Sequence, residues 1–157
     1  MQTHELLIGG KWTPAQSGET FEAMNPALTE PIARVAKAGA ADVDAAVKAA
    51  RKAFDEGPWP DLPASRRAAV LYKFADLIRE HAEEIAQTET RNVGKPISDS
   101  RDEVGGGAYC FEYYAGAITK YFGETIPVSK PGLDYTLRVP CGVAAATFTC
   151  RGAESQV

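Results

Sequence analysis

Residues 38–54 read AGAADVDAAVKAARKAF, and this stretch decides the fold class. Its apolar side chains recur three and four positions apart, at Val43, Ala46, Val47, Ala50 and Phe54. That spacing is typical of an amphipathic helix, whose turn takes about 3.6 residues. Asp42 is placed to cap the first turn, and Asp44 lies near the positive end of the helix dipole. We predict a helix that ends before Gly57-Pro58 and buries one face.

The segments before this helix predict short strands. Residues 6–12 read LLIGGKW, and a Gly-Gly pair between two apolar arms is typical of a tight hairpin. Asn25-Pro26 marks a turn. Residues 32–37 carry a partial alternation that favours one short strand.

Two further helices and a strand are predicted after residue 57. The second helix begins after Pro63 and ends at Gly94-Lys95-Pro96, because a proline disfavours helical backbone in the residue before it. The third helix begins at Ser100-Arg101-Asp102-Glu103, which matches a capping box, and ends near Phe122. Residues 135–139 alternate and are rich in β-formers, so they predict a strand. The chain is therefore of the α/β class, with three amphipathic helices.

Composition excludes several classes of function. A net charge of -4 gives no basic field, so nucleic acid is not expected as a partner. No apolar run is long enough to span a bilayer, and no secretory leader pattern opens the chain, so no membrane partner is expected. Three cysteines without CxxC spacing suggest neither a disulfide framework nor a zinc site. A cytoplasmic location with reduced thiols is expected.

The residues themselves yield no catalytic constellation. Gly105-Gly106-Gly107 lacks the final glycine of a phosphate-binding loop and follows a helix start. His81 and Glu84 make only two ligands, too few for a metal site. Cys110 has no base nearby in sequence, so we expect it to be a small packed core residue. Cys141 and Cys150 give no better sign of a nucleophile.

Several segments, taken in order and at their spacing, resemble the amino-terminal part of the NAD(P)-dependent aldehyde dehydrogenases. The resemblance covers nearly the whole chain up to about Ala146. Its motifs are LIGGKW (7–12), Asn25-Pro26, AGAADVDAAVKAARKAF (38–54), ETRNVGKP (89–96), YYAG (113–116), GETIP (123–127) and RVPCGV (138–143).

The resemblance implies an incomplete Rossmann-type domain. Residues 1–122 would form the amino-terminal part of a dinucleotide-binding domain, and residues 123–146 would start a β-arm that bridges subunits. Residues 147–157 would form a divergent tail. The family's Pro-Trp-Asn-Phe-Pro motif does not follow Val143, so the chain is interpreted as an amino-terminal portion, truncated or frameshifted after about Ala146.

Full-length members of this family oxidise aldehydes to carboxylic acids through a cysteine thiohemiacetal, with NAD or NADP as acceptor. That chemistry needs a thiolate, oxyanion donors, a hydride acceptor and a general base. This chain matches none of the family's motifs for them, so we expect no catalytic and no cofactor-binding residue, and no NAD or NADP bound to the chain alone. The aldehyde would be a substrate only of the full-length form.

Two further expectations follow from the resemblance. Many members hold a monovalent cation, whose ligand positions here would be Ala23, Met24 and Asn92, and Gly106 would border the aldehyde access tunnel. A second hypothesis of function is a non-catalytic interaction protein that docks on full-length homologous subunits and alters their assembly.

Overall fold

The computed structural model of the chain describes residues 1–147. It begins with three short strands, β1 (Thr3–His4), β2 (Leu6–Ile8) and β3 (Lys11–Thr13). The predicted hairpin is confirmed: β2 and β3 pair antiparallel, and both turn residues have positive φ, at 59° for Gly9 and 77° for Gly10. This is the backbone of the two-residue turns that match strand twist.

A three-stranded sheet with the order β1-β5-β4 follows, built from β4 (Thr20–Asn25) and β5 (Glu30–Ala36). The strand predicted at residues 32–37 is confirmed, whereas β4 was not predicted. The turn at Asn25-Pro26 joins the two strands, and the Asn25 side chain accepts a hydrogen bond from the Ala27 N–H at 2.9 Å. Strand β4 therefore depends on pairing across this turn more than on its own alternation.

Helix α1 (Ala40–Glu56) lies where residues 38–54 predict it. Asp42 occupies its first turn and is 4% exposed. Its carboxylate accepts hydrogen bonds from the backbone N–H groups of Gly39 at 2.8 Å and Gln16 at 3.0 Å. Asp42 thus caps the helix and also ties it to the loop after β3.

The prediction of three helices was wrong, because residues 1–147 contain four. The second predicted helix divides at His81 into α2 (Ala64–Glu80) and α3 (Ala82–Val93). The His81 N–H donates to the Leu77 carbonyl, and the His81 carbonyl accepts from the Ile85 N–H, both at 3.0 Å. The chain bends without losing these bonds, so the apolar spacing gives no sign of the break.

Helix α4 (Ile97–Ala117) begins three residues earlier than the predicted capping box. Pro96 precedes the helix, and its carbonyl accepts from the N–H groups of Asp99 and Ser100 at 3.1 Å. Ser100 is not a cap: it is fully buried, and its hydroxyl lies 3.0 Å from the Thr90 hydroxyl of α3. A short 3-10 turn (Ile118–Lys120) follows α4.

The predicted strand at residues 135–139 was largely wrong. Strand β6 (Thr125–Ile126) pairs antiparallel with β7 (Asp134–Tyr135), and the ladder extends no further in the described chain. In this register residues 136–139 lie opposite residues 121–124, which form no strand, although Thr136 still exchanges hydrogen bonds with Glu124. We call residues 121–147 the arm. Of the predicted tail at residues 147–157, only residue 147 lies within the described chain.

Helices α2, α3 and α4 pack together, and α3 also contacts β4. Within residues 1–147 the buried apolar side chains are all alanines. Those in these three helices are Ala68, Ala75, Ala86, Ala108 and Ala115. Phe74 and Phe111 meet edge to face between α2 and α4, with ring centroids 4.6 Å apart. None of the helices within residues 1–147 is long and apolar enough to cross a membrane.

Candidate functional site

The structure brings together the segments that carry Ala23, Met24 and Asn92. Ala23 and Met24 lie at the end of β4, where the pairing register with β5 shifts between them. Asn92 lies in the last turn of α3, which packs against β4. A register shift interrupts the ladder locally, so the backbone there is suited to contacts outside the sheet.

The turn after β4 is pressed against the end of α3. Gly94 follows the helix with φ 73°, and a Cβ built on it would lie 2.8 Å from Cγ of Pro26. Only glycine tolerates both this backbone conformation and this approach. Gly94 therefore fixes how closely the Asn25-Pro26 turn approaches Asn92.

Lys95 lies beside this turn in a cluster of opposite charge. Its ammonium group pairs with Glu89 of α3 at 3.3 Å and with Glu103 of α4. The hydrogen bond to Glu103 is the largest cause that raises the pKa of Lys95. The side chain is three-quarters buried, so this pair of contacts joins the end of α3 to the start of α4.

A second ion pair joins the same two helices. Arg101 donates two hydrogen bonds to the Glu83 carboxylate, at 2.9 and 2.8 Å. Together with a hydrogen bond from Gln87, this lowers the pKa of Glu83 to about 2. The bidentate geometry positions α4 against α3 but offers no acid or base near neutral pH.

The cysteines and histidines of residues 1–147 form no catalytic pair. The prediction that Cys110 is a packed core residue was wrong: Cys110 is exposed on α4, whose buried positions are Ser100, Ala108 and Ala115. Cys141 is also exposed, and Cys150 lies outside the described residues. His81 lies 3.2 Å from Glu84, and residues 1–147 contain no larger group of metal-ligating side chains.

The three consecutive glycines lie inside α4 and form no phosphate cradle. A Cβ built on Gly105, Gly106 or Gly107 would meet nothing within 4 Å outside the local helix backbone. Nothing in the described chain therefore approaches this helix turn, although an open surface here would admit a ligand or another segment. These three glycines lie within a helix, whereas a glycine loop for a dinucleotide phosphate lies between a strand and a helix.

Two contacts that position these elements were not predicted. The hydroxyl pair of Ser100 and Thr90 joins α3 to α4, and Asp42 joins the loop after β3 to α1. Polar residues at helix starts usually indicate local caps, so nothing in the sequence predicts that Ser100 or Asp42 is buried. Ser100 lies eight positions, about two helix turns, before the buried Ala108, and this spacing indicates the buried face of α4 only once the helix start is known.

Comparisons with known proteins agree with this architecture. The sequence model described as the aldehyde dehydrogenase family matches residues 12–149. Aldehyde dehydrogenase family 2 member B4, mitochondrial, of Arabidopsis thaliana is 47% identical over 141 residues, which are 89% of this chain and 26% of the relative. NADP/NAD-dependent aldehyde dehydrogenase PuuC of Escherichia coli (strain K12) is 42% identical over 144 residues, 91% of this chain and 29% of that relative.

Solved structures give the same result. The NAD+ complex structure of aldehyde dehydrogenase from Bacillus cereus aligns with a TM-score of 0.82 and 44% identity, over 85% of this chain and 28% of that one. The fold matches the amino-terminal part of such structures. The chain thus spans less than a third of the length of these relatives, and it belongs to the aldehyde dehydrogenase family.

Proposed function

We propose that this chain supplies the amino-terminal part of an aldehyde dehydrogenase subunit and does not oxidise aldehydes by itself. Residues 1–122 would contribute to the dinucleotide-binding domain, and residues 123–146 would begin an arm that contacts homologous subunits. The family match and the alignment over 85% of the chain support this assignment. In the whole protein, an aldehyde would be oxidised to a carboxylic acid with NAD or NADP as acceptor.

The observation that carries the proposal is the uncovered apolar surface. The apolar face of α1 remains open, with Val43 55% and Val47 50% exposed. All buried apolar residues of residues 1–147 are alanines. Surfaces of this kind mark sites that pack against another protein layer. We assign that layer to the rest of the dehydrogenase fold.

Activity and cofactor binding test the proposal directly. The 157-residue chain would be mixed with NAD+ or NADP+ and acetaldehyde, and formation of the reduced cofactor would be followed by absorbance. Binding of NADH would be followed by its fluorescence, with intact Escherichia coli PuuC as the positive control. We expect neither turnover nor binding by the chain alone. Saturable NADH binding, or turnover that scales with the amount of chain, would overturn it.

We also propose association with homologous subunits rather than with nucleic acid or membrane. Gel filtration of the chain with full-length PuuC tests this, and a variant with Ile126 and Leu133 changed to Ser is the control. These arm residues are 40% and 76% exposed. We expect the parent chain to co-elute with full-length PuuC and the variant to lose this co-elution.

The exposed thiols of Cys110 and Cys141 agree with a reducing, cytoplasmic setting.

A weak monovalent cation site at Ala23, Met24 and Asn92 is part of the proposal. Backbone carbonyls and an amide oxygen are neutral donors, so a carboxylate at residue 92 should strengthen binding of a hard cation. Addition of K+ should therefore raise the thermal midpoint of the Asn92→Asp variant more than that of the parent chain. Thr88→Asp adds the same charge one turn earlier and serves as the control. An equal response of both variants would contradict the site.

A further inference from the structure

Helix α1 contacts the rest of the described chain through a small part of its surface. Its main packing partner among the elements of residues 1–147 is strand β2. Asp42 is its one buried residue, and three more are half-buried, namely Ala45, Ala49 and Phe54. The remaining side chains of α1 are exposed, so apolar packing contributes little to holding this helix in place.

The carboxylate of Asp42 makes the polar contacts at the start of α1. It accepts a hydrogen bond from the Gly39 N–H at 2.8 Å, which is local, and one from the Gln16 N–H at 3.0 Å, which joins residues 26 positions apart. Hydrogen bonds to a charged acceptor are stronger than those between neutral groups, and a buried carboxylate without donors is costly. Asp42 therefore anchors the start of α1 to the loop after β3.

The ion pairs found on α1 within the described chain lie inside the helix itself. They join residues four positions apart, Arg51 to Asp55 and Lys52 to Glu56. Ion pairs among α2, α3 and α4, by contrast, cross from one helix to another. Residues 57–63 read GPWPDLP and separate α1 from α2. A helix with so little tertiary packing is marginally stable in water, because most helical stability in proteins comes from such packing.

We propose that α1 is a separately opening unit, anchored to the strands by Asp42, which leaves its place while α2, α3 and α4 stay folded. Such local opening occurs where few apolar contacts hold an element, and it takes less free energy than unfolding the whole chain. When α1 opens, the long-range bond between Gln16 and Asp42 must break. The proposal concerns contacts within this chain and is independent of the proposed aldehyde chemistry.

Hydrogen–deuterium exchange with mass spectrometry tests the anchor in the 157-residue chain, under conditions where exchange reports the opening equilibrium. In the parent chain, the amides of residues 44–56 should exchange faster than those of α2 and α4 but slower than in a free peptide. Asp42→Ala should speed exchange of residues 44–56 roughly tenfold or more, the size expected for losing a hydrogen bond to a charged group. The peptide that contains Gln16 should also exchange faster, and α2 and α4 should keep their rates.

Asp44→Ala is the matched control, because it removes an exposed carboxylate from the same end of α1 and so changes the helix dipole interaction in the same way. It should leave the peptide that contains Gln16 unchanged. If Asp42→Ala does not fold, Asp42→Asn, which keeps one carbonyl acceptor, should accelerate the same peptides to a smaller extent. Exchange of α1 together with α2 and α4, or equal effects of the Asp42 and Asp44 variants, would overturn the proposal.

Discussion

The α2–α4 bundle and the arm are held by opposite means. The bundle buries five alanines and the Ser100 hydroxyl, and ion pairs such as Arg79–Glu112 and Arg101–Glu83 cross between its helices. The arm buries no side chain within residues 121–147 and meets the helices at Gly142. Small buried residues let helices approach closely, while their larger apolar neighbours remain outside. The comparison shows a helical interior built from small side chains, with larger apolar side chains exposed on the outer faces of the described chain.

Enlarging a buried alanine should break the bundle and spare the arm. Ala75 of α2 is fully buried, so Ala75→Leu must displace neighbouring atoms. We expect a loss of roughly 1–3 kcal/mol in the free energy of unfolding, measured by urea denaturation with helical circular dichroism. Ala69→Leu on the exposed side of the same helix is the control. If the two variants lose equal stability, the bundle is not packed as described.

Alanine substitutions at Gly94 and Gly106 should change the free energy of unfolding in opposite directions, because Gly94 contacts Pro26 and Gly106 faces open space. Gly94→Ala should destabilise by about 1–2 kcal/mol, because alanine resists positive φ and its Cβ would meet Pro26. Gly106→Ala should stabilise by roughly 0.5–1 kcal/mol, since the helix interior offers it open space. Denaturant unfolding of both variants measures the opposite signs. A destabilised Gly106→Ala would show that something approaches α4 there.

Removing the buried hydroxyl pair should weaken the junction of α3 and α4. Ser100→Ala leaves the Thr90 hydroxyl without its partner, at an expected cost of about 1 kcal/mol. The double variant Ser100→Ala/Thr90→Val should recover part of that loss, because both polar groups are then removed. Additive losses in this cycle would mean that the two hydroxyls do not interact.

Local signals in the sequence were enough for part of the fold. The Gly9-Gly10 hairpin and helix α1 follow from turn chemistry and from apolar spacing, which neighbours along the chain determine. The bend at His81 keeps its backbone hydrogen bonds, and strand β4 exists through pairing with β5, so neither leaves a local signature. Long-range pairing decides such elements.

The candidate site divides in the same way. The resemblance pointed to Ala23, Met24 and Asn92, which lie on two elements that contact each other in the structure, β4 and α3. The spacing of these residues along the chain does not predict that contact. Cys110 was predicted to be a packed core residue, but its side chain is exposed on α4. Which face of α4 is covered depends on residues that are distant along the chain. Local sequence patterns do not predict such contacts.

The smallest expected effect is a pH dependence of the thermal midpoint that comes from the bundle and not from the arm. Arg101 and Gln87 hold the folded-state pKa of Glu83 at about 2, below the unfolded value of about 4.3. Glu83 therefore stabilises the fold above the unfolded pKa, and this contribution is lost as pH falls from about 4.3 toward 2. Glu83→Gln should flatten the dependence of the thermal midpoint on pH in this window. Arg101→Met should do the same by removing the partner, whereas Arg66→Met, which removes another exposed arginine, should keep the parental slope. If all three variants keep that slope, the ion pair does not hold α4 to α3, and other contacts between these helices, such as those of Lys95 and of Ser100, must do so.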